Sequence, residues 1–325
     1  NDIMLGGNKG DEIDAGEGNN IVFGDEGRIV YNLDGDLSDI DLIESLSTKQ
    51  YGGVDTINTG DGDDIIIGGR FGDIINARNG DNLVIGDSGR IKAASTDSPQ
   101  ISGIPMTFGL IETTEYGDGG VDVIDTGAGN DIVLGGHDEG TTLIGSVVYT
   151  GDTVNVGSGN NIVLGDNGMI VYTGRDFRAE EDWEAGDDLN PGDIDEIVST
   201  STENNGGVDK ITSLGGDDII IGGRLGDIID AGDGDNLVIG DSGRITAAST
   251  DDPQFAGIPM TFGRIETVTS ADGGDDTITT GKGYDIILGG QGGDTIIANF
   301  GETTEVPDAG NVILGDNGLL DYTRA

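Results

Sequence analysis

Short apolar triplets bounded by glycine-rich turns recur along the whole chain. Residues 59–67 read TGDGDDIII, 68–76 read GGRFGDIIN and 77–85 read ARNGDNLVI, so apolar and polar positions repeat every nine residues. A second copy over 213–239 reads SLGGDDIII, GGRLGDIID and AGDGDNLVI. Such β-branched triplets between glycine turns predict very short strands joined by tight turns.

A longer period of 154 residues duplicates even the segments between the repeat runs. The strings GGVD and IPMTFG each recur at this distance. Self-similarity at two periods predicts a solenoid rather than a set of globular domains. We therefore divide the chain into a partial unit (1–51), a full super-repeat (52–205) and a second, truncated super-repeat (206–325) of one continuous solenoid.

The nonapeptides follow the pattern G-G-x-G-x-D-x-U-x, where U is a large apolar residue, over roughly half of the chain. This pattern resembles the RTX, or haemolysin-type, calcium-binding repeat. The resemblance implies an all-β fold, a right-handed parallel β-roll with Ca²⁺ in its turns. In this fold the x-U-x triplet is a strand with U pointing inward, and two nonapeptides make one coil. It also implies that the chain is a fragment of a large bacterial protein exported by type I secretion.

Turns on one edge of such a roll lie 18 residues apart, and acidic residues recur at that spacing, as in Asp55 and Asp73. Ca²⁺ prefers six to eight oxygen ligands, so paired side chains and glycine carbonyls of adjacent coils are suitable. We predict carboxylate ligands at the sixth nonapeptide position: Asp2, Asp11, Asp55, Asp64, Asp73, Asp122, Asp131, Asp209, Asp218, Asp227, Asp276, Asp285 and Asp294. Amide ligands are predicted at Asn20, Asn82 and Asn236. Glycines predicted to line the sites are Gly7, Gly60, Gly62, Gly69, Gly136, Gly223, Gly281 and Gly290.

A variant turn follows those nonapeptides whose sixth residue is Asn. There the next turn opens with Gly-Asp instead of Gly-Gly, so that the carboxylate has moved five residues along the chain. The displaced residues are Asp25, Asp87, Asp166, Asp241 and Asp316. Each either completes a calcium shell or hydrogen-bonds the turn backbone, and the sequence leaves both alternatives open.

Inserts interrupt the repeats near 30–51, 92–117, 137–155, 171–205, 246–272 and 298–309. We expect them to form β-hairpins or extended arms, with strands over Met106–Thr114 and Met260–Thr267 and short helices over Asp39–Leu46 and Phe177–Ala185. Alternate nonapeptides carry triplets that are apolar at all three positions, which is typical of a strand buried on both faces. The inserts, or else a partner or a second copy, should cover the outer face of that sheet.

The composition of the chain limits the classes of partner that it can bind. The chain has 62 Asp and Glu against 15 Lys and Arg, a formal net charge of −47, and no Cys. Repulsion of phosphate makes nucleic acid and anionic membranes unsuitable partners, and no apolar run is long enough to predict membrane insertion. About a dozen Ca²⁺ ions, roughly one per stacked turn, would offset about half of this charge.

Sequences that look catalytic have simpler explanations. The string GDSG at 86–89 and 240–243 matches the surroundings of a serine nucleophile, but the same slot elsewhere holds Glu or Asn. The one histidine, His137, corresponds to Gln291 in the second copy, so no repeated general base exists. Paired carboxylates recur at structural spacing, whereas catalysis uses a single site. We therefore predict that the chain is not an enzyme.

Two acidic inserts and one tryptophan remain. The inserts around 34–39 and 187–193 are either solvated loops or extra calcium sites, and Trp183 either packs on the solenoid or contacts a saccharide. We predict a calcium-binding structural region of a secreted or cell-surface protein, adhesin-like or spacer-like, that folds on binding Ca²⁺. The alternative is a calcium-dependent module that binds a saccharide or a partner protein, as an accessory to an enzyme outside this chain.

Overall fold

Nearly all regular structure in the protein is β-strand, arranged in three long sheets that run side by side. The computed structural model describes residues 1–47, 51–139, 142–144, 147–201, 205–268, 273–301, 303 and 310–323. No helix among these residues is long and apolar enough to cross a membrane.

The first sheet, here called the central sheet, contains ten parallel strands within the described residues. Each strand pairs in register with the next one along its edge, so Ile66 lies between Val22 and Val84. Its strands are β1 (Ile3–Leu5), β3 (Ile21–Phe23), β7 (Ile65–Ile67), β9 (Leu83–Ile85), β13 (Ile132–Gly136), β17 (Ile162–Asp166), β21 (Ile219–Gly223), β23 (Leu237–Asp241), β27 (Ile286–Leu288) and β29 (Val312–Leu314).

The second sheet, the outer sheet, is also parallel and alternates with the central sheet along the chain. In the described part of the chain its strands are β2 (Glu12–Gly16), β6 (Thr56–Thr59), β8 (Ile74–Asn76), β12 (Val123–Asp125), β16 (Thr153–Ser158), β20 (Lys210–Gly215), β22 (Ile228–Asp230), β26 (Thr277–Thr279) and β28 (Thr295–Ile297). Both parallel sheets continue without a break across residues 51–52 and 205–206.

One apolar core lies between these two sheets. The middle residue of each triplet points into it, so Ile66 of β7 and Ile57 of β6 are both fully buried there. The two sheets with their connecting turns therefore form a parallel β-roll, and the prediction that the central apolar residue points inward is confirmed.

The third sheet, the cover sheet, is antiparallel and is built from the inserts and the segments next to them. Each strand pairs with the next along the chain, in the order β4 (Gly27–Val30), β5 (Leu42–Ser45), β10 (Gly89–Ala93), β11 (Phe108–Thr113), β18 (Gly168–Val171), β19 (Glu196–Ser199), β24 (Gly243–Ala247), β25 (Phe262–Thr267) and β30 (Leu319–Asp321). Cross-strand isoleucine pairs such as Ile91–Ile111 and Ile197–Ile245 are fully buried on its inner face.

A second core joins the cover sheet to the central sheet. Ile65 and Ile67 flank the inward-pointing Ile66 and turn to the opposite face, where they pack in one cluster with Ile43 and Ile91. The fully apolar triplets are thus buried on both faces, as expected, and inserts of the same chain supply the cover. The recurrent Ile-Pro-Met-Thr-Phe-Gly segment is part of this core, since Met106 and Met260 are buried in it.

The predicted short helices are only partly correct. Asp39–Leu46 contains strand β5 instead of a helix, because Ile43 pairs with Ile91 across the cover sheet, and such pairing overrides a weak local preference. Around the second segment the chain forms helix α1 (Gly174–Phe177) and a 3-10 turn (Glu180–Asp182). The insert at 137–155 contributes a small hairpin of β14 (Thr142–Ile144) and β15 (Val147–Tyr149).

Candidate metal sites

The β-roll has two edges, and the sixth nonapeptide positions line both of them. Turns that lead from the central to the outer sheet form the first edge, here called the aspartate edge. Within the described residues its sixth positions are Asp11, Asp55, Asp73, Asp122, Asp152, Asp209, Asp227, Asp276 and Asp294. Turns that lead back form the mixed edge, with Asp2, Asn20, Asp64, Asn82, Asp131, Asn161, Asp218, Asn236, Asp285 and Asn311.

A hydrogen-bond ladder links successive coils along the aspartate edge. The backbone N–H of each ladder aspartate donates to Oδ1 of the aspartate in the next coil, over distances of 2.6 to 3.1 Å. The 18-residue pairing of Asp55 with Asp73 is one rung of this ladder, at 2.7 Å. The predicted stacking of equivalent turns is therefore confirmed.

The second oxygen of each ladder carboxylate is different. In the described structure, the Oδ2 atoms of all these aspartates are buried without a hydrogen-bond partner. The side chains of Asp73, Asp122 and Asp152 have no solvent exposure. An unpaired carboxylate oxygen in an apolar environment is costly, and a row of such oxygens calls for protons or cations.

Glycine carbonyls face these unpaired oxygens. A Cβ added to Gly68 would lie 2.1 Å from the carbonyl oxygen of Gly86 and 2.6 Å from Oδ2 of Asp73. The same pair of oxygens, a carbonyl of the next coil and a ladder Oδ2, surrounds Gly135 at 2.0 and 2.5 Å and Gly240 at 2.3 Å each. Carboxylate and carbonyl oxygens converging from adjacent coils are the donor set that Ca²⁺ prefers, so the residues present fit this ion.

Burial disfavours the ionised state of several ladder aspartates in the absence of a cation. Desolvation raises the pKa of Asp55 to about 7 and that of Asp276 to about 8. The pKa values of Asp73, Asp122 and Asp227 also lie well above their usual range, because of burial and repulsion by neighbouring carboxylates. Bound cations would reverse this effect by favouring the ionised form.

The mixed edge has the same backbone ladder but carries its own hydrogen-bond donors. Here, too, each backbone N–H donates to a side-chain Oδ1 in the next coil, over 2.7 to 3.1 Å. Nδ2 of Asn82 then donates to the carbonyl of Gly80 at 3.0 Å and to Oδ1 of Asp131 at 3.1 Å. The asparagines at 20, 161 and 236 make the same two contacts. Each of these asparagine amides thus donates to a glycine carbonyl and to a carboxylate oxygen, the two kinds of oxygen that a cation would bind.

Hydroxyl groups complete part of this edge. Thr126 donates to Oδ2 of Asp131 at 2.7 Å, and Thr280 donates to Oδ2 of Asp285 at 2.6 Å. At the equivalent positions, the hydroxyls of Thr59 and Ser213 donate to backbone carbonyls, and the Oδ2 atoms of Asp64 and Asp218 have no partner in the described structure. The mixed edge therefore has far fewer unpaired oxygens than the aspartate edge.

The displaced aspartates lie in the turns through which the chain leaves the central sheet for the cover sheet. Asp87 accepts hydrogen bonds from the backbone N–H groups of Gly120 and His137, and Asp166 accepts them from Gly207 and Arg224. Asp241 binds two backbone N–H groups in the same way, and Asp25 accepts one from Arg70. Asp316, in the last such turn, is exposed. The first four of these carboxylates thus connect the exit turn to the next coil, as the second alternative expects, and their binding of a cation stays a prediction.

The predicted glycines occupy both edges. Gly7, Gly69, Gly136, Gly223 and Gly290 have positive φ angles between 100° and 126° on the aspartate edge. A Cβ on Gly136 would lie 2.2 Å from Oδ2 of Asp87, so the exit aspartate occupies the space of the missing side chain. Gly60, Gly62 and Gly281 lie on the mixed edge, where Gly62 packs on the carbonyl of Gly18.

Sequence reasoning missed several ladder members. Asp152 belongs to the aspartate edge, and Asn161 and Asn311 belong to the mixed edge. The nonapeptide that contains Asp152 lacks a recognisable glycine-rich turn, because an insert precedes it. The triplet Thr153-Val154-Asn155 that follows Asp152 nevertheless matches the triplet after Asp55. This triplet was the signal that could have found Asp152.

The remaining candidate residues lie away from the roll edges or are packed. The acidic inserts bring together Asp34, Asp39 and Asp41 in one copy, and Asp188, Asp193 and Asp251 in the other. Trp183 is 40% exposed, lies 4.9 Å from the Arg175 guanidinium and donates from Nε1 to the carbonyl of Arg178. His137 is buried, and its Nδ1 accepts a hydrogen bond from Gly206.

Gly68→Ala tests the close contacts of the glycine cradle. The new methyl group would meet the Gly86 carbonyl and Oδ2 of Asp73, so we expect the calcium-loaded protein to lose about 1–3 kcal/mol of unfolding free energy. Gly315→Ala is the matched control, because nothing lies within 4 Å of the Cβ that it would add. Calorimetric unfolding of both variants in calcium checks this result, and equal stability of the two would contradict it.

Comparison with known families agrees with this geometry. The family model of the RTX calcium-binding nonapeptide repeat matches residues 1–28, 51–75, 58–90, 116–139, 214–244 and 270–304, almost half of the chain. Searches of curated proteins and of solved structures gave no match. The nonapeptide repeats, the stacked turns and the two parallel sheets agree with one another, and the chain is therefore an RTX calcium-binding repeat region built as a parallel β-roll.

Proposed function

We propose that the protein is a calcium-folded structural segment whose ions bind along the aspartate edge. The observation that supports this most directly is the unbroken row of buried, unpaired Oδ2 atoms, each facing a glycine carbonyl of the next coil. Ca²⁺ accepts this combination of ligands, and its flexible coordination suits a turn repeated with small variations. The mixed edge is held instead mainly by asparagine amides and threonine hydroxyls.

Charge explains why folding should depend on the ion. The formal net charge of −47 opposes compaction, and the ladder brings several carboxylates close enough to repel one another. One ion at each aspartate-edge position would supply about 18 positive charges. Because the sites do not exist in the unfolded chain, the free energy of ion binding becomes free energy of folding.

This coupling suits a protein that is exported unfolded and becomes compact where free calcium is abundant. We propose a secreted or cell-surface location on this ground, and a spacer-like or adhesin-like role. Two nearly identical super-repeats support the role, because stacking equivalent modules extends the length of a solenoid. Most described side chains of the apolar central sheet and of the Ile-Pro-Met-Thr-Phe-Gly segment are buried in the cores, which favours a structural role over binding through these two features.

A matched pair of substitutions tests the proposal. Asp73 and Asp131 are both fully buried, and each accepts a backbone N–H through Oδ1, but they lie on opposite edges. In Asp73→Asn the amide replaces a proposed calcium ligand, so we expect the chain to bind about one ion fewer. In Asp131→Asn we expect the ion count to stay that of the unaltered chain.

The measurement is bound calcium per chain after gel filtration, determined by mass spectrometry of the metal and normalised to protein. Circular dichroism of each calcium-loaded variant establishes that it is folded. A loss in both variants would show that the mixed edge binds calcium too, and a loss in neither would refute the aspartate edge as the binding site.

A further inference from the structure

One insert adds a third carboxylate to the aspartate edge. Asp138 follows the turn Gly135-Gly136-His137, at the point where the chain leaves the nonapeptide pattern. Its carboxylate lies against Asp152 and Asp209, and one oxygen of each of the three lies within 4.8 Å of the other two. Asp152 precedes β16 and Asp209 precedes β20, so the group joins three separate stretches of the chain.

The oxygens that meet here have no other partner. Asp152 and Asp209 have exposures of 0% and 1%, and their Oδ1 atoms already accept the ladder hydrogen bonds from Asp122 and Asp152. Their Oδ2 atoms and both oxygens of Asp138 are buried without a hydrogen-bond partner in the described part of the structure. No ion pair with Lys or Arg is found at these three carboxylates within the described residues.

Backbone oxygens and a glycine complete the cradle. A Cβ on Gly135 would lie 2.0 Å from the carbonyl oxygen of Gly165 and 2.5 Å from Oδ2 of Asp152. A Cβ on Gly207 would lie only 1.4 Å from Oδ2 of Asp138, so the third carboxylate depends on the absence of a side chain at this glycine. Three carboxylates in contact repel one another strongly unless a cation or protons lie between them.

Other coils lack this third carboxylate. The residue equivalent to Asp138 after the Gly-Gly pair is Lys9, Phe71, Leu225 or Gly292 in the other described turns of this type. None of these side chains can bind a cation. Lys9, Phe71 and Leu225 also have positive φ angles, whereas Asp138 does not, because the chain departs there into the insert.

We propose that Asp138, Asp152 and Asp209 together bind one Ca²⁺ ion, more tightly than any other position of the aspartate edge. This rests on the proposed function, because Asp152 and Asp209 are members of that edge, but it adds Asp138 as a ligand from outside the repeat. A third carboxylate raises the charge of the site and supplies further oxygens, both of which increase affinity for Ca²⁺. The ion joins Asp138, where the insert leaves the roll, to Asp152, where the insert returns to it.

Asp138→Asn removes the charge and keeps the size of the side chain. When a fluorescent chelator removes calcium from the loaded, folded protein, we expect the most tightly held ion to leave at about ten- to a hundredfold higher free Ca²⁺ than in the unaltered chain, while the number and affinity of the other ions stay the same. Asp125→Asn is the matched control, because Asp125 is exposed on the outer sheet of the same coil, and it should change no step. An unchanged tightest step in Asp138→Asn, or an equal weakening of all steps, would overturn the proposal.

A second measurement uses the unaltered protein and so does not depend on how the variant folds. Eu³⁺ replaces Ca²⁺ at oxygen sites, and its luminescence lifetimes in H₂O and D₂O report bound water. We expect the first equivalent of Eu³⁺ added to the folded, calcium-loaded protein to keep water in fewer than half of its ligand positions, whereas a mostly hydrated first ion would contradict the site. If Asp138→Asn loses its tightest step while Asp73→Asn loses no ion, the three-carboxylate site stands and the wider aspartate edge does not.

Discussion

Protein treated with EDTA at pH 8 is expected to lose its β-strand signal in far-ultraviolet circular dichroism and to regain it when Ca²⁺ is added. Without the ion, the buried Oδ2 atoms of the aspartate edge have no cation, and carboxyl groups such as that of Asp55, whose pKa is about 7, are mostly ionised at this pH, so the coils repel one another. At a free concentration a hundred times the dissociation constant, each bound ion stabilises the fold by about 2.7 kcal/mol. We therefore expect the bound ions together to determine whether the chain is folded.

Magnesium is the control for this prediction. Mg²⁺ requires near-octahedral geometry at shorter distances and dehydrates reluctantly, so millimolar Mg²⁺ should not restore the strand signal. Small-angle X-ray scattering on the same samples should show an expanded chain in EDTA and a compact, elongated particle in calcium. A strand signal and a radius of gyration that are equal in EDTA and in calcium would refute calcium-dependent folding.

Acid is expected to substitute in part for calcium. The folded-state pKa values of Asp55 and Asp276 are raised from 3.8 to about 7 and about 8, and that of Asp131 on the mixed edge to about 7, each chiefly by burial. A raised carboxyl pKa means that the fold binds the proton more tightly than the unfolded chain does. Its contribution to stability is fully present below pH 3.8 and is lost as the pH rises through the folded-state value.

The EDTA-treated protein should therefore gain strand structure as the pH falls from 8 towards 5, the range in which these carboxyl groups take up protons in the fold. Circular dichroism during a pH titration measures this transition, and light scattering excludes aggregation near the pI. The calcium-saturated protein is the control, and its strand signal should stay constant over the same range. A chelated protein that remains unfolded down to pH 5 would contradict the role of these carboxyl groups.

The spacing of residues was sufficient to predict the β-roll. Nine residues per turn-and-strand unit place Ile57, Ile66 and Ile75 in one core, and the 18-residue spacing places Asp55 beside Asp73. Both results follow from local rules, since glycine permits the turn and a β-branched triplet favours the strand. The burial of both faces of the central sheet could also be predicted, because triplets such as Ile65-Ile66-Ile67 place apolar side chains on each face.

The cover sheet could not be predicted in detail. Its strands come from inserts without the nonapeptide period, and each pairs with a strand from a different insert or exit turn, as Ile111 does with Ile170. Pairing over such separations depends on which surfaces the roll has already placed side by side. For the same reason the segment Asp39–Leu46, which has no strong local preference, forms a strand at the contact with β10.

The sequence by itself determined the repeating coil, the polar turns and the recurring acidic positions, because these depend on residues close together in the chain. Only the tertiary structure decided that the two edges differ, with unpaired Asp oxygens on one and mostly amide and hydroxyl donors on the other. A hint existed in the sequence, since Thr or Ser stands five residues before Asp64, Asp131, Asp218 and Asp285. Its meaning depended on a contact that folding creates. Whether a carboxylate oxygen is left for a cation is decided by the neighbouring coil, which can lie up to 57 residues away in the chain.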